Sequence, residues 1–540
     1  MTGRKYRSVV AAVALAILAA FPAGCSKSKE TRPQNVVFIT LDTFRADHLS
    51  ALPGGRARTP ALDGLAARGI LFENAWSLIP ITLPAHATMF FGQPPHVLAN
   101  YNNGEFLSIR RNRPSFVQAF RKEGFLTAAF VSLGVVTREF GLSEGFDYYE
   151  DKFPDTRWYL TAREINHRVI PWLESHCDKP FFLWVHYSDP HEPYSPPDSP
   201  KDLKLRLNGR VVGTYRLNEY AWITADLDLK AGKNILAFDT ENPYITESDQ
   251  LTARLDEIRF SPESEMKDVP LEYNSLWASL DVNARGLKKG ARIALTAPTA
   301  RKVTVKFIGE LSLPPAAARD LYGREVEFLD GRVGELLSVL DGLGLTDKTV
   351  IVVVGDHGEG LGEYTTDSGD YHFGHIKYLQ KIYLNIPLIV AIPGNPQNGT
   401  RRTEPVTHLD IAPTLLDLIG FNGVRGLPGR DLLTLPKGAS IPIFAETYRP
   451  ESDRNRFALI EAPWHMILDP ETGRHKIYNM SADPSESVNL WNTAAVPPEV
   501  ARDFEKRLND FAREILTLKK ETTVDAKTEE RLKSLGYLGK

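Results

Sequence analysis

Three apolar runs in this chain end in groups that can bind cations. Val36-Val37-Phe38-Ile39-Thr40-Leu41 leads into Asp42, and Phe181 to Val185 leads into His186-Tyr187-Ser188-Asp189-Pro190-His191. Thr349 to Val354 leads into Gly355-Asp356-His357-Gly358-Glu359. A charge placed directly after an apolar run is costly to bury unless it is paired or holds a metal. A single such residue is equally explained by a helix cap or a turn. Three strand ends together point to a divalent-metal site built from Asp42, Asp356 and His357. Two carboxylates and one imidazole suit Mn²⁺ or Zn²⁺ better than Ca²⁺, which prefers all-oxygen cages; Ca²⁺ and Mg²⁺ stay open.

A hydroxyl nucleophile is offered between the first two runs. Thr82-Leu83-Pro84-Ala85-His86-Ala87-Thr88 reads as a helix entry, with Thr82 at the N-cap and Pro84 in the first turn. A hydroxyl there sits in the positive field of the helix N-terminus, which favours a developing alkoxide or a bound oxyanion. The plain alternative is a helix cap with no chemistry.

These groups need elements to hold them at one edge. The apolar runs, with Ile386 to Ile392, suit strands of a parallel sheet covered on both faces. Glu325 to Leu343 places apolar residues at 326, 329, 333, 336, 337, 340 and 343, one helical face stopped by Gly342 and Gly344. Strand–helix alternation implies an α/β fold, whose ligands sit beyond the carboxyl ends of the strands. Residues 201–313 break the pattern. They alternate with period two between Asn-Gly and Ala-Gly turns and read as an inserted β-sandwich of jelly-roll type. That insert either binds carbohydrate or packs beside the active-site mouth. The expected organisation is a catalytic α/β domain over 35–200 and 314–440, with Pro-rich linkers around the insert. A small antiparallel subdomain follows over 441–540.

Composition narrows the class. The chain has 540 residues, 64 basic and 68 acidic, for a formal charge of −4. No basic excess suggests nucleic acid as a partner. Two cysteines cannot build a disulfide framework or a cysteine-ligated zinc site. At the N-terminus, Arg4, Lys5 and Arg7 precede the apolar stretch Val9 to Phe21, which is short for a membrane span and fits a signal peptide over 1–24. Pro22-Ala23-Gly24-Cys25 resembles a bacterial lipobox, with 25–34 as a lipidated linker. We therefore expect a protein of the bacterial cell envelope, anchored to the membrane through Cys25 and facing the periplasm or exterior. Arg45 and Asp47 read as a bracing ion pair, Glu359 and Glu363 as solvated loop residues, and Cys177 as a buried small hydrophobe.

The motifs also carry a resemblance. Asn35 to Leu49 (NVVFITLDTFRADHL) resembles the opening metal-binding stretch of the sulfatase branch of the alkaline phosphatase superfamily. His186 to Pro193 (HYSDPHEP), Val353 to Glu363 (VVGDHGEGLGE), His372 to Pro387, Thr407 to Gly420 (THLDIAPTLLDLIG) and Arg531 to Gly539 are similar to that family in the same order. The likeness covers about residues 35–200 and 314–540. It implies an alkaline-phosphatase-like, sulfatase-like sheet with helices on both faces. It puts Asp42, Asp356 and His357 on metal-ligand positions and Thr82 on the position of the nucleophile, which also meets the metal. His86 takes the place of the arginine in the family's nucleophile motif and is expected to contact the substrate. His191 and His375 fall where the family places substrate-contacting and leaving-group residues. Against the two-metal relatives the spacing of Asp189, His186 and His191 fits poorly, so one divalent ion is expected.

The departures matter as well. Sulfatases oxidise a Cys or Ser to formylglycine, whereas oxidising the secondary alcohol of Thr82 would give a ketone. The T-x-P-x-H pattern resembles the nucleophilic threonine of nucleotide pyrophosphatase/phosphodiesterases. The family's K-x-H motif is missing, its region reading Ala129-Phe130-Val131-Ser132-Leu133-Gly134. The resemblance thus implies a metal-dependent hydrolase of extracytoplasmic esters, phosphate mono- or diesters first, through phospho-Thr82. The alternatives are a sulfatase acting on glycans, an envelope transferase of phosphoethanolamine or phosphoglycerol type, and an inactive glycan-binding relative.

Overall fold

A computed structural model describes residues 33–518 except 108–113, 156, 198, 200–201, 219–220, 246–249, 281–283, 367–368, 425 and 450, together with 528 and 532. The signal-type segment and Cys25 lie outside the described residues, as does the Arg531–Gly539 motif apart from Leu532. Among the described residues no helix is long and apolar enough to cross a membrane.

Nine strands form the central sheet. They are β1 (Asn35–Leu41), β2 (Ile70–Trp76), β3 (Leu126–Phe130), β4 (Tyr148–Glu150), β5 (Phe181–Tyr187), β6 (Thr349–Gly355), β7 (Asn385–Ala391), β8 (Thr400–Arg402) and β9 (Val406–Thr407). Their order is β8-β2-β7-β6-β1-β5-β3-β4, with β9 also paired to β2. The four apolar runs of the sequence are β1, β5, β6 and β7, adjacent at the centre, where both faces are covered. Side chains alternate between two cores. Val36 and Phe38 of β1 enter the core that holds Phe90 and Phe182. Val37, Ile39 and Leu41 enter the opposite core, with Val326, Leu329 and Val333.

The sheet is mixed, not parallel throughout as the apolar runs suggested. β1 pairs in parallel with β5 and β6, but β7 runs antiparallel to both β6 and β2. An apolar run reports burial on both faces, not direction. Between β6 and β7 the chain forms a two-stranded hairpin (Gly360–Thr365, Tyr371–Gly374) and a short helix (Lys381–Leu384) and re-enters the sheet at the end where β6 leaves it, Val354 opposite Leu388. Pro387, which has no N–H to donate, falls where the β7–β2 register shifts between Ile386 and Leu388.

Three helices matter to the site: α1 (Thr82–Phe91), α2 (Ala162–His176) and α3 (Pro315–Gly342). The expected face of α3 is buried at Val326, Leu329, Val333, Leu336, Leu337 and Leu340. The helix starts earlier than the periodicity indicated, at Pro315, so Pro314-Pro315 is a helix entry and not a linker. Proline fits the first helical position because its missing N–H has no partner there anyway.

Residues 202–311 form two five-stranded antiparallel sheets around a core of their own. Ile223–Leu229 alternates strictly between buried and exposed side chains, as a half-buried strand should. Asn208 (φ 52°) and Gly209 (φ 83°) turn the hairpin between Asp202–Leu207 and Arg210–Arg216, both left-handed as a tight type I′ turn requires. At the C-terminus a four-stranded antiparallel meander (Ile443–Thr447, Arg456–Glu461, Trp464–Asp469, Arg474–Asn479) is followed by the helix Pro498–Leu518. Its Phe457, Leu459 and Met466 share the core of the central sheet.

Candidate active site

The parallel register of β5, β1 and β6 builds the site. Leu41 aligns with Tyr187 on one side and Gly355 on the other. The ladder continues one residue further: Asp42 N donates to Tyr187 O (2.8 Å), and Asp356 N to Leu41 O (3.2 Å). Asp42 and Asp356 are thereby delivered side by side. Ligand atoms of Asp42, Asp356 and His357 lie within 4.8 Å of one another, and all three side chains are buried. Asp356 Oδ1 accepts from Thr43 N (3.0 Å) and His357 N (2.6 Å), which aims Oδ2 into the cluster. His357 Nδ1–H donates to Gly358 O (3.0 Å), leaving Nε2 on the cluster side. Neither oxygen of Asp42, nor Oδ2 of Asp356, has a hydrogen-bond partner among the described residues.

That donor set fits a divalent cation. Burial pushes the Asp42 carboxyl up, only partly offset by the facing His191 and His375. Burial and the neighbouring Asp42 push Asp356 well above the usual carboxylate range, and burial holds His357 well below the usual imidazole range. Three buried carboxylate oxygens without hydrogen-bond donors and a neutral imidazole lone pair are what a cation in this place would satisfy.

Thr82 lies at this cluster, its Oγ1 3.3 Å from His357 Nε2. It is not the N-cap that the sequence suggested. Ile81 caps the helix, Ala85 N donates to Ile81 O (3.0 Å), and Thr82 is the first helical residue. Its hydroxyl is therefore released from capping and turned toward His357 and the carboxylate cluster. The unpaired amide of Leu83 at this helix start goes instead to Asn103 Oδ1 (3.0 Å).

The histidines divide into two groups. His86 Nδ1–H donates to Thr82 O (2.8 Å), and its Nε2 meets Thr40 Oγ1 (3.0 Å), which also accepts from Trp184 Nε1 (2.9 Å). Both ring nitrogens are thus committed inside the protein. The substrate-contacting place expected for His86 does not match this geometry, and we treat it as a positioning residue beneath Thr82. His191 and His375 border a cavity of 650 Å³. His191 Nδ1–H donates to Glu192 O (2.6 Å), and His375 Nδ1 faces Glu359 Oε2 (3.3 Å). Their rings are 5.0 Å apart, and the His375 ring is 4.4 Å from that of His357. His186 Nδ1 accepts from Ser132 N (3.3 Å), while Asp189 Oδ2 accepts from Ala162 N (2.8 Å) at the start of α2.

Several contributors were not legible. Glu359 reads as a solvated loop residue but is buried against His375. Glu363 bonds Arg45 (2.6 Å), which also grips Asp47 (2.8 Å), so the expected ion pair is one part of a triad in which only the Arg45 guanidinium is buried. Thr43 holds φ 53°, a costly conformation for a β-branched residue. It is fixed by Tyr322 of α3, whose hydroxyl donates to Thr43 O (2.7 Å) and accepts from Arg45 N (2.9 Å). Asn103 carried no signal beyond a polar loop. Cys177 is partly exposed at the end of α2, not buried.

Comparison with known proteins places this architecture. The profile of the Sulfatase family matches residues 34–421. The chain belongs to the sulfatase family. It is a sulfatase-type, metal-dependent ester hydrolase by that membership. Among curated sulfatase-family relatives, it is 22% identical to an N-acetylglucosamine-6-O-sulfatase of Bacteroides thetaiotaomicron, over 87% of this chain and 84% of that one. Two solved structures share the fold at a TM-score of 0.57. One, 17% identical, was determined with D-glucosamine-2-N,6-O-disulfate and matches 92% of this chain and 100% of its own. The other, 18% identical, is a phosphonate monoester hydrolase of Agrobacterium radiobacter, matching 90% of this chain and 95% of its own. For a sulfatase-family chain the departure at Thr82 is the feature to explain.

Proposed function

We propose that this chain hydrolyses the ester of a tetrahedral oxyanion on a glycan or similarly polar extracytoplasmic molecule, with Thr82 as nucleophile. The observation that carries the reading is the convergence of the Thr82 hydroxyl with three buried ligand side chains at the start of α1. Asp42, Asp356 and His357, with Thr82 beside them, would hold one divalent ion. Bound there, that ion would supply Lewis acidity toward the ester and acidify the nearby hydroxyl. The Thr82 hydroxyl gives up its proton to water, and Oγ forms the new bond to phosphorus or sulfur as the bond to the in-line leaving oxygen breaks. His375, held against the Glu359 carboxylate, gives that oxygen its proton, while His191, neutral with its Nδ1–H on Glu192 O, contacts the ester. Asn103, anchored on Leu83 N, is placed to orient the start of α1. Water then releases Thr82.

Two esters compete. The N-acetylglucosamine-6-O-sulfatase and the structure holding a sulfated glucosamine support sulfate, whereas the phosphonate monoester hydrolase carries the same fold with a phosphorus substrate. Thr82 itself favours phosphate. It has no route to the aldehyde hydrate that expels sulfate, whereas a phospho-threonine is cleaved by ordinary in-line attack. The N-terminal sequence supports export and anchoring through Cys25, and the cell envelope as the place of work.

The deciding experiment is metal-supplemented turnover of aryl sulfate, aryl phosphate monoester and aryl phosphate diester by the parent and Thr82→Ala. Phosphate turnover lost with Thr82 selects the phosphoryl reading. Sulfate turnover lost with Thr82 selects the sulfate reading, and sulfate turnover surviving in Thr82→Ala removes Thr82 as nucleophile.

A further inference from the structure

The cavity beyond His191 and His375 is walled by three parts of the chain. The catalytic unit supplies Glu192 and Lys377, the β-sandwich supplies Arg254 and Glu310, and the C-terminal subdomain supplies Glu451. Arg254 and Glu310 stand directly opposite each other on neighbouring strands, Ala253–Ser261 and Arg301–Leu311. The sandwich is held in place here: Leu311 N donates to Asn218 Oδ1 (2.6 Å), and Asn218 Nδ2 reaches Tyr194 O (3.5 Å), on the segment that carries His191.

The chemistry of this wall is specific. Arg254 Nε is shared by both carboxylate oxygens of Asp256 (2.9 and 3.1 Å). Burial pulls Arg254 down, but Asp256, Glu310 and Glu192 hold its charge in place. The one guanidinium is thus surrounded by three carboxylates. Glu192 also reaches the catalytic edge: a Cβ on Gly374, next to His375, would lie 2.9 Å from Glu192 Oε1. Glu451 is 7% exposed. Its Oε2 accepts from Asn103 N (2.9 Å), while Oε1 has no hydrogen-bond partner among the described residues. Against Arg254 and Lys377 stand Glu192, Glu310 and Asp256, so a second anion on the leaving group would meet a surplus of carboxylates, whereas hydroxyls or an ammonium would find partners.

We propose that the β-sandwich is a wall of the catalytic cavity, and that its Glu310, with Glu192, selects esters whose leaving group carries hydroxyls or an ammonium and no further anion. This deepens the ester-hydrolase reading and rests on it. It sets the chain apart from enzymes of multiply sulfated sugars.

The test is calorimetric binding of two small phosphates to the full chain loaded with Mn²⁺, aminoethyl phosphate and carboxymethyl phosphate, which differ in distal charge. The aminoethyl compound is expected to bind about fivefold or more tightly at low ionic strength, and the ratio to fall below about twofold at ~0.5 M NaCl. Glu310→Gln should shrink the low-salt ratio and Glu310→Lys should invert it. Asp228→Asn, on an exposed site of the same sandwich, should leave it alone. A ratio near one in the parent, or one that ignores Glu310, overturns the proposal while aryl-ester turnover still stands. If neither phosphate binds and no aryl ester is turned over, the ester-hydrolase reading fails and this proposal falls with it.

Discussion

Replacing Asp356 by Asn should stabilise the metal-free protein and abolish its response to metal. The two side chains have the same shape. An asparagine oxygen can keep accepting from Thr43 N and His357 N, while its amide takes the position of Oδ2. In the parent, Asp42 and Asp356 hold ligand oxygens within 4.8 Å. At that separation, with an effective dielectric of about 20, two like charges cost roughly 3 kcal/mol. The metal-free protein avoids part of this by keeping a proton, which is why burial and Asp42 push Asp356 so far up. The folded chain then holds a proton that the unfolded chain releases above about pH 4, so stability falls as pH rises from there through neutrality. Asp356→Asn removes that slope. In EDTA at pH 8 the variant should melt above the parent, by up to about 3 kcal/mol, with the gap closing toward pH 4. With metal at ~100-fold over its Kd the parent gains about 2.7 kcal/mol, and the variant, short of one ligand and one charge, far less. Melting in EDTA, Mn²⁺, Zn²⁺, Ca²⁺ and Mg²⁺ from pH 4 to 8 reads all of this. A variant that melts below the parent in EDTA, yet responds equally to metal, would refute the assignment.

Thr82→Ser should retain measurable turnover and Thr82→Ala should lose at least about 10³-fold in kcat, with only the former trapping labelled substrate on the chain in a rapid acid quench. His86→Ala removes one donor from the carbonyl of Thr82 and the acceptor of the Thr40 hydroxyl, and empties a fully buried position. It should cost about 2–4 kcal/mol in denaturant melts and lower kcat more than it raises KM. Gly358→Ala should be similarly damaging, because a Cβ there would lie 1.9 Å from Ile382 O; equilibrium unfolding should show a loss of about 3 kcal/mol or more.

The convergence of Asp42, Asp356 and His357 was legible because its cause is local. Each ligand follows an apolar run, and parallel neighbours in register place the residues after those runs side by side. The sandwich was legible for a similar reason, since strict alternation over Ile223–Leu229 is visible in the residues themselves. What stayed hidden depends on partners far along the chain. Thr82 is freed from capping by Ile81, and the start of its helix is tied by Asn103, from a loop with no periodicity. Glu359 looks solvated until the Gly360–Gly374 hairpin covers it, and His86 looks like a substrate ligand until Thr40 occupies its second nitrogen. The direction of β7 was hidden because a strand buried on both faces looks the same from either end.

The charge state of the finished site ties these observations together. Burial is the leading cause in each case that holds His86, His191 and His357 below the usual imidazole range, and it takes His186 down to about 3. Near pH 7 these rings are neutral, and the family's lysine-bearing motif is absent from Ala129 to Gly134. An anionic ester arriving here meets two carboxylates, neutral imidazoles and an acceptor-rich outer wall. Arg254 and Lys377 of that wall already face carboxylates, so the ester's charge is compensated chiefly by a cation on Asp42, Asp356 and His357. Chelation should therefore abolish binding of the ester as well as its turnover. Equilibrium binding of inorganic phosphate with and without EDTA separates the two: affinity that survives EDTA would mean that protein groups alone hold the anion, against the charge balance drawn from this geometry.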